Sequence, residues 1–509
     1  MKIKAALICL AITAPVVAQT MGTGAAESSR ATPLPASGRL QPGAVVAQQT
    51  ATVGAGVDTV NSSVAVSGDF SGSVPVTDVP AGAVTLTLAD AVKFGLAANL
   101  GTISADNSVR ASRAARIQEL SALLPNIAAQ ASETVTQVNL AAYGFQFKLP
   151  PGNNFSIPSV VGPFSYSQLA GTLSQSIYDP VQRRNWQSSK EGERASVQNA
   201  KDARELVVLA VGGTYLQTVT TAARIESQRA QVSNAQAVYR QAVTRKEAGT
   251  NSKIDVMRSL VELQTQQQRL NSLESDLRKQ KITLARITGL PLDRELVLSE
   301  PLNSAAPGIP QAEPTIAQAF QRRSDLRAAE MQVQAAKLAL SAAHAERLPS
   351  VSVNGDYGVL GPNPASTHGV FAVTGAVNVP IWRGGRVRGD IQQADSTLQQ
   401  RRAELADQRS RVEQDVRNAL IELQTAAGQV QLAQSNRSYA NETLAEARDR
   451  FSAGVATTVE VVQAQEQVAG AESDYISSLF SLDLARLALA RATGNAETSI
   501  SDLLNGKRP

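Results

Sequence analysis

Apolar positions in this chain change period in the same order twice, from helical to alternating to sevenfold. Alternation is clearest at 351–359, where Val351, Val353, Tyr357 and Val359 are interleaved with Ser352, Asn354, Asp356 and Gly358. Phe371, Val373, Val377 and Val379 alternate with Ala372, Thr374, Ala376 and Asn378, and Gly361-Pro362-Asn363-Pro364 lies between as a turn signal. Period two sends apolar side chains to one face of an extended strand, so the pattern predicts a β-hairpin. Downstream, every seventh residue is apolar: Ile391, Leu398, Leu405, Val412, Ala419, Ala426, Ala433, Ala440 and Ala447. A strict seven-residue repeat drifts around a straight helix and keeps one seam only under left-handed supercoiling. The predicted helix over 386–451 is ~100 Å long at 1.5 Å per residue, turns at Gly454 and returns to Thr493-Gly494.

The same order is visible earlier. Leu284-Ala285-Arg286-Ile287-Thr288-Gly289 recurs as Leu489-Ala490-Arg491-Ala492-Thr493-Gly494, about 205 residues later, and at that offset Gly249 falls on Gly454 and Asp255 on Glu460. Strands are expected at 127–138 and 165–177, weaker than the second pair because Glu133 falls on the apolar row. Helices then run from Val181 through Gly249 to Gly289, the seam interrupted at Glu193, Thr214 and Gln228. Short helices precede each hairpin, at 85–96 and 104–124 in the first copy; in the second, Glu313-Pro314-Thr315 opens one and Ser324-Asp325 caps the next. Pro125 and Pro349 stop them. We read two copies of one unit, each needing its neighbour to bury an apolar face. The expected division is a signal peptide at 1–18, a flexible N-terminal extension at 19–84, repeat one at 85–289, a linker at 290–312, repeat two at 313–494 and a tail at 495–509.

Composition narrows the class. Aromatic residues make up 4% of 509, too few for ordinary compact domains but enough for long helices packed through small residues. Lys2 and Lys4, an apolar stretch at 5–14 and Val16-Val17-Ala18 predict a secretory signal. Cleavage after Ala18 removes Cys9, the one cysteine, so no disulfide or cysteine metal site is expected in the mature chain. Export without cysteine points to a bacterial envelope. A net charge of +4 gives no field that would attract nucleic acid. No run of ~18 apolar residues follows the signal, so a membrane crossing would have to use strands. His344 and His368 lack a second ligand at metal spacing, and no Ser/His/Asp set, carboxylate pair or phosphate-binding glycine loop stands out. Neither a cofactor nor an enzyme is expected. Arg183-Arg184, Arg383, Arg386 and Arg388 flank the strand-to-helix junctions and read as solvated charge, with lipid head groups or neighbouring chains as the other candidate contacts.

Four strands in one chain leave sheet edges whose backbone groups find no water in a bilayer, where only a closed barrel is stable. About eight strands is the usual minimum for closure. Several copies must therefore pool their hairpins, with the helices continuing as a shared bundle. The expected fold class is mostly α with a β membrane part, a tandem-repeat protomer of four barrel strands and long coiled helices, closed only in an oligomer.

The tandem strand–long-helix copies, the junction Val379-Pro380-Ile381-Trp382-Arg383-Gly384-Gly385, and the turn Phe451-Ser452-Ala453-Gly454 followed by Thr458-Val459-Glu460-Val461 resemble the TolC-type outer-membrane channel family over roughly residues 85–494. The resemblance implies a homotrimer, with a twelve-stranded barrel in outer-membrane lipid and a periplasmic helical tunnel. Such a duct serves a tripartite efflux or type I secretion system, fed by a periplasmic adaptor (membrane fusion) protein and an inner-membrane pump. It further implies a tunnel constriction of acidic side chains with an aromatic–basic contact at the tip. The matching positions are Asp255, Glu460, Gln463 and Phe451. Gln463 stands where the family has a second acid and Ala456 where it has the base, so the latch must take another form here. The turns Gly249-Thr250-Asn251-Ser252 and Gly454-Val455-Ala456-Thr457 match the adaptor-docking turns.

A plainer account makes Asp255 and Glu460 first-turn acids favourable to a helix dipole, and the glycines simple chain reversals. A structural periplasmic coiled-coil scaffold without transport is the alternative function, but it has no need of alternating strands. An adaptor would show one helical hairpin and lipoyl-like β segments.

Overall fold

The computed structural model describes residues 30–32, 34, 44–52, 59–76, 82–144, 158–249, 252–300, 302 and 308–498. The expected signal peptide lies outside these residues. Described elements in chain order are β1 (Val45–Thr52), β2 (Thr59–Val66), β3 (Val84–Leu86), α1 (Leu88–Ala98), α2 (Leu100–Ser121), β4 (Asn126–Asn139) and β5 (Val160–Tyr178). There follow α3 (Pro180–Glu247), α4 (Lys253–Thr288), β6 (Leu296–Leu298), α5 (Ala312–Arg322), α6 (Ser324–Ala345), β7 (Ser350–Gly361), β8 (His368–Asn378), α7 (Arg386–Ser452) and α8 (Thr458–Ala492). The chain divides into two compact units, one of residues 1–33, 117–186 and 339–394, the other of the remainder.

The first unit holds an antiparallel sheet of order β4-β5-β7-β8. Its register sorts side chains by polarity. Ile127–Leu173–Gly355–Val373, Ala129–Gly171–Tyr357–Phe371 and Ala131–Leu169–Val359–Gly369 form three cross-strand rows on one face. On the other face, Ser174, Asn354 and Thr374 form one row, and Thr172 and Asp356 another. The apolar face is open: Ile127, Tyr357, Phe371 and Val373 are each more than 70% exposed. Between Val351 and Val359 the band is roughly 27 Å tall along the strand at ~3.4 Å per residue, close to the ~25 Å band of membrane barrels. Glu133 pairs with Ser167, which pairs with the end of β7 at Gly361. It therefore sits one row beyond Ala131–Leu169–Val359–Gly369, at the margin of the band, with exposed Val135 next on the same face.

The second unit is mainly helical. Buried Val207, Val208, Val211 and Tyr215 of α3 pack with Leu88 and Val92 of α1, Leu284 and Ile287 of α4, and Leu86 and Leu296. This part of α3 is apolar enough to cross a membrane by composition, but 72% of that window is buried inside the protein. It is a core helix. In α7, Leu398, Val412, Ala419, Ala426 and Ala433 of the sevenfold seam are buried. A second row three or four residues away, Val416, Leu423, Val430, Leu444 and Phe451, is buried with them, completing the paired apolar rows of a coiled coil.

Two expectations need correction. Residues 19–84 were expected to be flexible, yet β1 and β2 pair over their full length, and the 3-10 turn Gly68–Ser71 buries Phe70 against the helical core. The segment is too poor in apolar residues to fold alone; α3 and α8 together supply the missing half of its core, with Leu216, Phe480 and Leu484 packed against Ala47 and Val64. Gly213 allows this close approach, since a Cβ there would stand 2.3 Å from Val64 of β2. The first short helix starts later than expected because β3 is drawn into a parallel pair with β6. Thr87 then caps α1, accepting the Asp90 N–H at 3.0 Å.

Candidate constriction at the helix turns

At the first turn, α3 ends before Gly249, whose φ of +74° is a left-handed conformation that a side chain would strain. Thr250 and Asn251 lie outside the described residues. Ser252 caps α4, accepting the Asp255 N–H at 3.2 Å while its hydroxyl donates to Asp255 Oδ2 at 2.6 Å. At the second turn, the Val455 N–H donates to Arg450 O at 3.0 Å and Gly454 has φ +80°, a left-handed closure of α7. Thr457 and Glu460 then form a capping box on α8. Glu460 also faces Arg450 at 3.6 Å. Both candidate acids are thus held by their own helix starts, as the plainer account expected, and both remain partly exposed.

Phe451 is not a free ring. It is 4% exposed, packed with Val238, Leu444, Val461, Ala464 and Val468. The Arg245 guanidinium lies 4.1 Å from its centroid and donates to the carbonyls of Phe451 (2.9 Å) and Ser452 (3.4 Å). Arg245 is a residue of this turn region that the sequence reading missed. A signal existed: at the repeat offset Arg245 falls on Arg450, and the two do different work. Arg450 faces the acid of its own hairpin, whereas Arg245 crosses to the other and closes the end of α7.

Gln463, one turn after Glu460, lines an open groove of about 750 Å³ between the first turns of α4 and α8, with Ile254, Met257, Val261, Val459 and Val462. Lys253, Arg258 and Glu262 contribute the charge at its margin.

A second constellation lies away from the turns. Arg491 of α8 pairs with Asp202 and stands 3.6 Å from Glu205 Oε2, an oxygen with no hydrogen-bond partner. Nearby, Arg323 bonds Asp325 (2.5 Å) and Asp415 (2.6 Å), and Gln408 donates to Asp325 at 2.7 Å. Burial pushes the Glu205 carboxyl up to about 7; Arg491 opposes that rise and Asp202 adds to it. Burial would also raise Asp325, but the bonds from Arg323 outweigh it and hold that carboxyl below the usual range.

The model of the outer membrane efflux protein family matches residues 315–495. The match is confined to this C-terminal stretch of the chain, which is similar to that family. Two outer-membrane proteins of Pseudomonas putida, the toluene efflux pump outer membrane protein TtgF and the probable efflux pump outer membrane protein SepC, are each 26% identical over 328 residues. The match takes in 61% of this chain and 66% of each relative, so the chain spans just under two thirds of their length. The outer membrane protein VceC of Vibrio cholerae shares its fold at a TM-score of 0.66 and 18% identity, covering 80% of this chain and 96% of that one.

Proposed function

We propose that this chain is one protomer of an outer-membrane export duct, a passive conduit from periplasm to exterior. The observation that carries this reading is the open four-stranded sheet, apolar on one face, polar on the other and unpaired along β4 and β8. Its strands alternate in direction, so the β8 edge of one copy can pair antiparallel with the β4 edge of the next. Three copies would close twelve strands with lipid outside and water inside. The two strand–strand–helix–helix runs then act as copies of one unit, and the long helices continue as the tunnel wall.

At the helix turns, Asp255 and Glu460 would stand around the axis of such an assembly and favour cations over anions, with Gln463 reducing the charge there. The clamp of Arg245 on Phe451 would take the part of the latch that Ala456 cannot play. The turns at Gly249, Ser252 and Gly454–Thr457 are the surfaces offered to a periplasmic adaptor and its inner-membrane pump. Purified protein reconstituted in planar bilayers tests the reading. Discrete conductance steps and a trimer mass in detergent are expected; a water-soluble monomer without conductance would overturn it.

A further inference from the structure

Below the sheet, within the first unit, residues 30–32 lie in a notch that reads their backbone. Asn185, 3% exposed, spends both ends of its amide there: Nδ2 donates to Arg30 O at 2.9 Å and Oδ1 accepts the Thr32 N–H at 3.2 Å. The Ala31 N–H donates to Glu346 Oε1 at 2.8 Å. That carboxylate is 1% exposed, with Oε2 facing Arg386 at 3.1 Å and Arg383 at 3.6 Å. Ala31 itself packs against Val181, Ala342 and Ala345. At the margins, Arg30 pairs with Asp390 at 2.8 Å and the Thr32 hydroxyl donates to Glu119 at 3.0 Å.

The four polar partners belong to four different strand-to-helix connections. Glu119 is in α2, which leads into β4; Asn185 is in α3, which leaves β5; Glu346 follows α6 and precedes β7; Asp390 is in α7, which follows β8. We propose that residues 30–32 are a staple, a segment of the chain that docks across all four connections and holds the base of the membrane sheet in register. Recognition is by backbone, so the requirement on sequence is a small residue at Ala31, where the wall is Val181 and two alanines. Docking is favoured because it supplies partners to a buried amide and a buried carboxylate. The inference stands on contacts within one chain and does not depend on the oligomer.

Arg30→Cys combined with Cys9→Ser in the full-length chain, spin-labelled, reads the segment directly, since Cys9 is the only native cysteine. The label should be immobilised, and Asn185→Ala should free it and, in the chain that keeps Arg30, raise tryptic cleavage after residue 30 roughly tenfold. Hydrogen exchange at the sheet base, at Asn126, Ser174, Asn354 and Thr374, should accelerate in the same variant. Ala31→Trp, which overfills the apolar part without touching a buried polar group, should reproduce both effects. A mobile label in the otherwise unaltered chain would overturn the proposal. So would base exchange unchanged while the segment is released.

Discussion

Glu205 offers a sharp test of the charge arrangement in the helical unit. Its carboxyl is pushed from an ordinary 4.5 to about 7, chiefly by burial, so between these values the folded protein keeps a proton that the unfolded chain has lost. Stability contributed below pH 4.5 is therefore lost as pH rises through 7. The gap, at ~1.4 kcal/mol per pH unit, is on the order of 3 kcal/mol. Glu205→Gln carries no charge at any pH, so it should remove most of the fall between pH 5 and pH 8. At pH 8 the variant should be the more stable protein, by less than the full gap, since the amide gives up the attraction of Arg491 at 3.6 Å. Urea midpoints followed by far-ultraviolet circular dichroism in detergent give the comparison at both pH values. Infrared difference spectra should show a protonated carboxyl at pH 5.5 that the variant lacks. Parallel pH dependence in the two proteins, or no such carboxyl band, would refute the reasoning.

Other expectations follow from the same geometry. Arg245→Ala removes a cation over a ring and a charged bond to the Phe451 carbonyl, together about 2 kcal/mol, and should raise single-channel conductance and open probability. Asp255→Ala with Glu460→Ala should raise conductance and weaken block by divalent cations, at a cost of ~1 kcal/mol for each lost acid at a helix start; unchanged conductance and block would remove these acids from the constriction. Val373→Arg on the apolar face should cost about 2–4 kcal/mol in the bilayer and abolish membrane assembly, measured by recovery in outer-membrane fractions. Asn354→Lys on the polar face should assemble normally.

Much of this protein can be read along its sequence, and the reasons are local. Val351, Tyr357, Phe371 and Val377 alternate because a strand has two faces, and parity alone assigns each residue to one of them. The sevenfold seam from Ile391 to Ala447 is a property of helix geometry and places α7 within a residue or two of its observed bounds. Ser252 and Thr457 announce the starts of α4 and α8 through their own side chains. Tertiary packing decided the rest. Whether Glu133 falls inside or beyond the apolar band depends on cross-strand register with Ser167 and Gly361, and no single strand carries that information. Strands β1 and β2 have too little apolar surface to fold unaided and gain order from α3 and α8. The Arg245 clamp and the notch around Ala31 join residues far apart in sequence. Periodicity is set by neighbours along the chain, but partners across space are chosen only when the whole core closes.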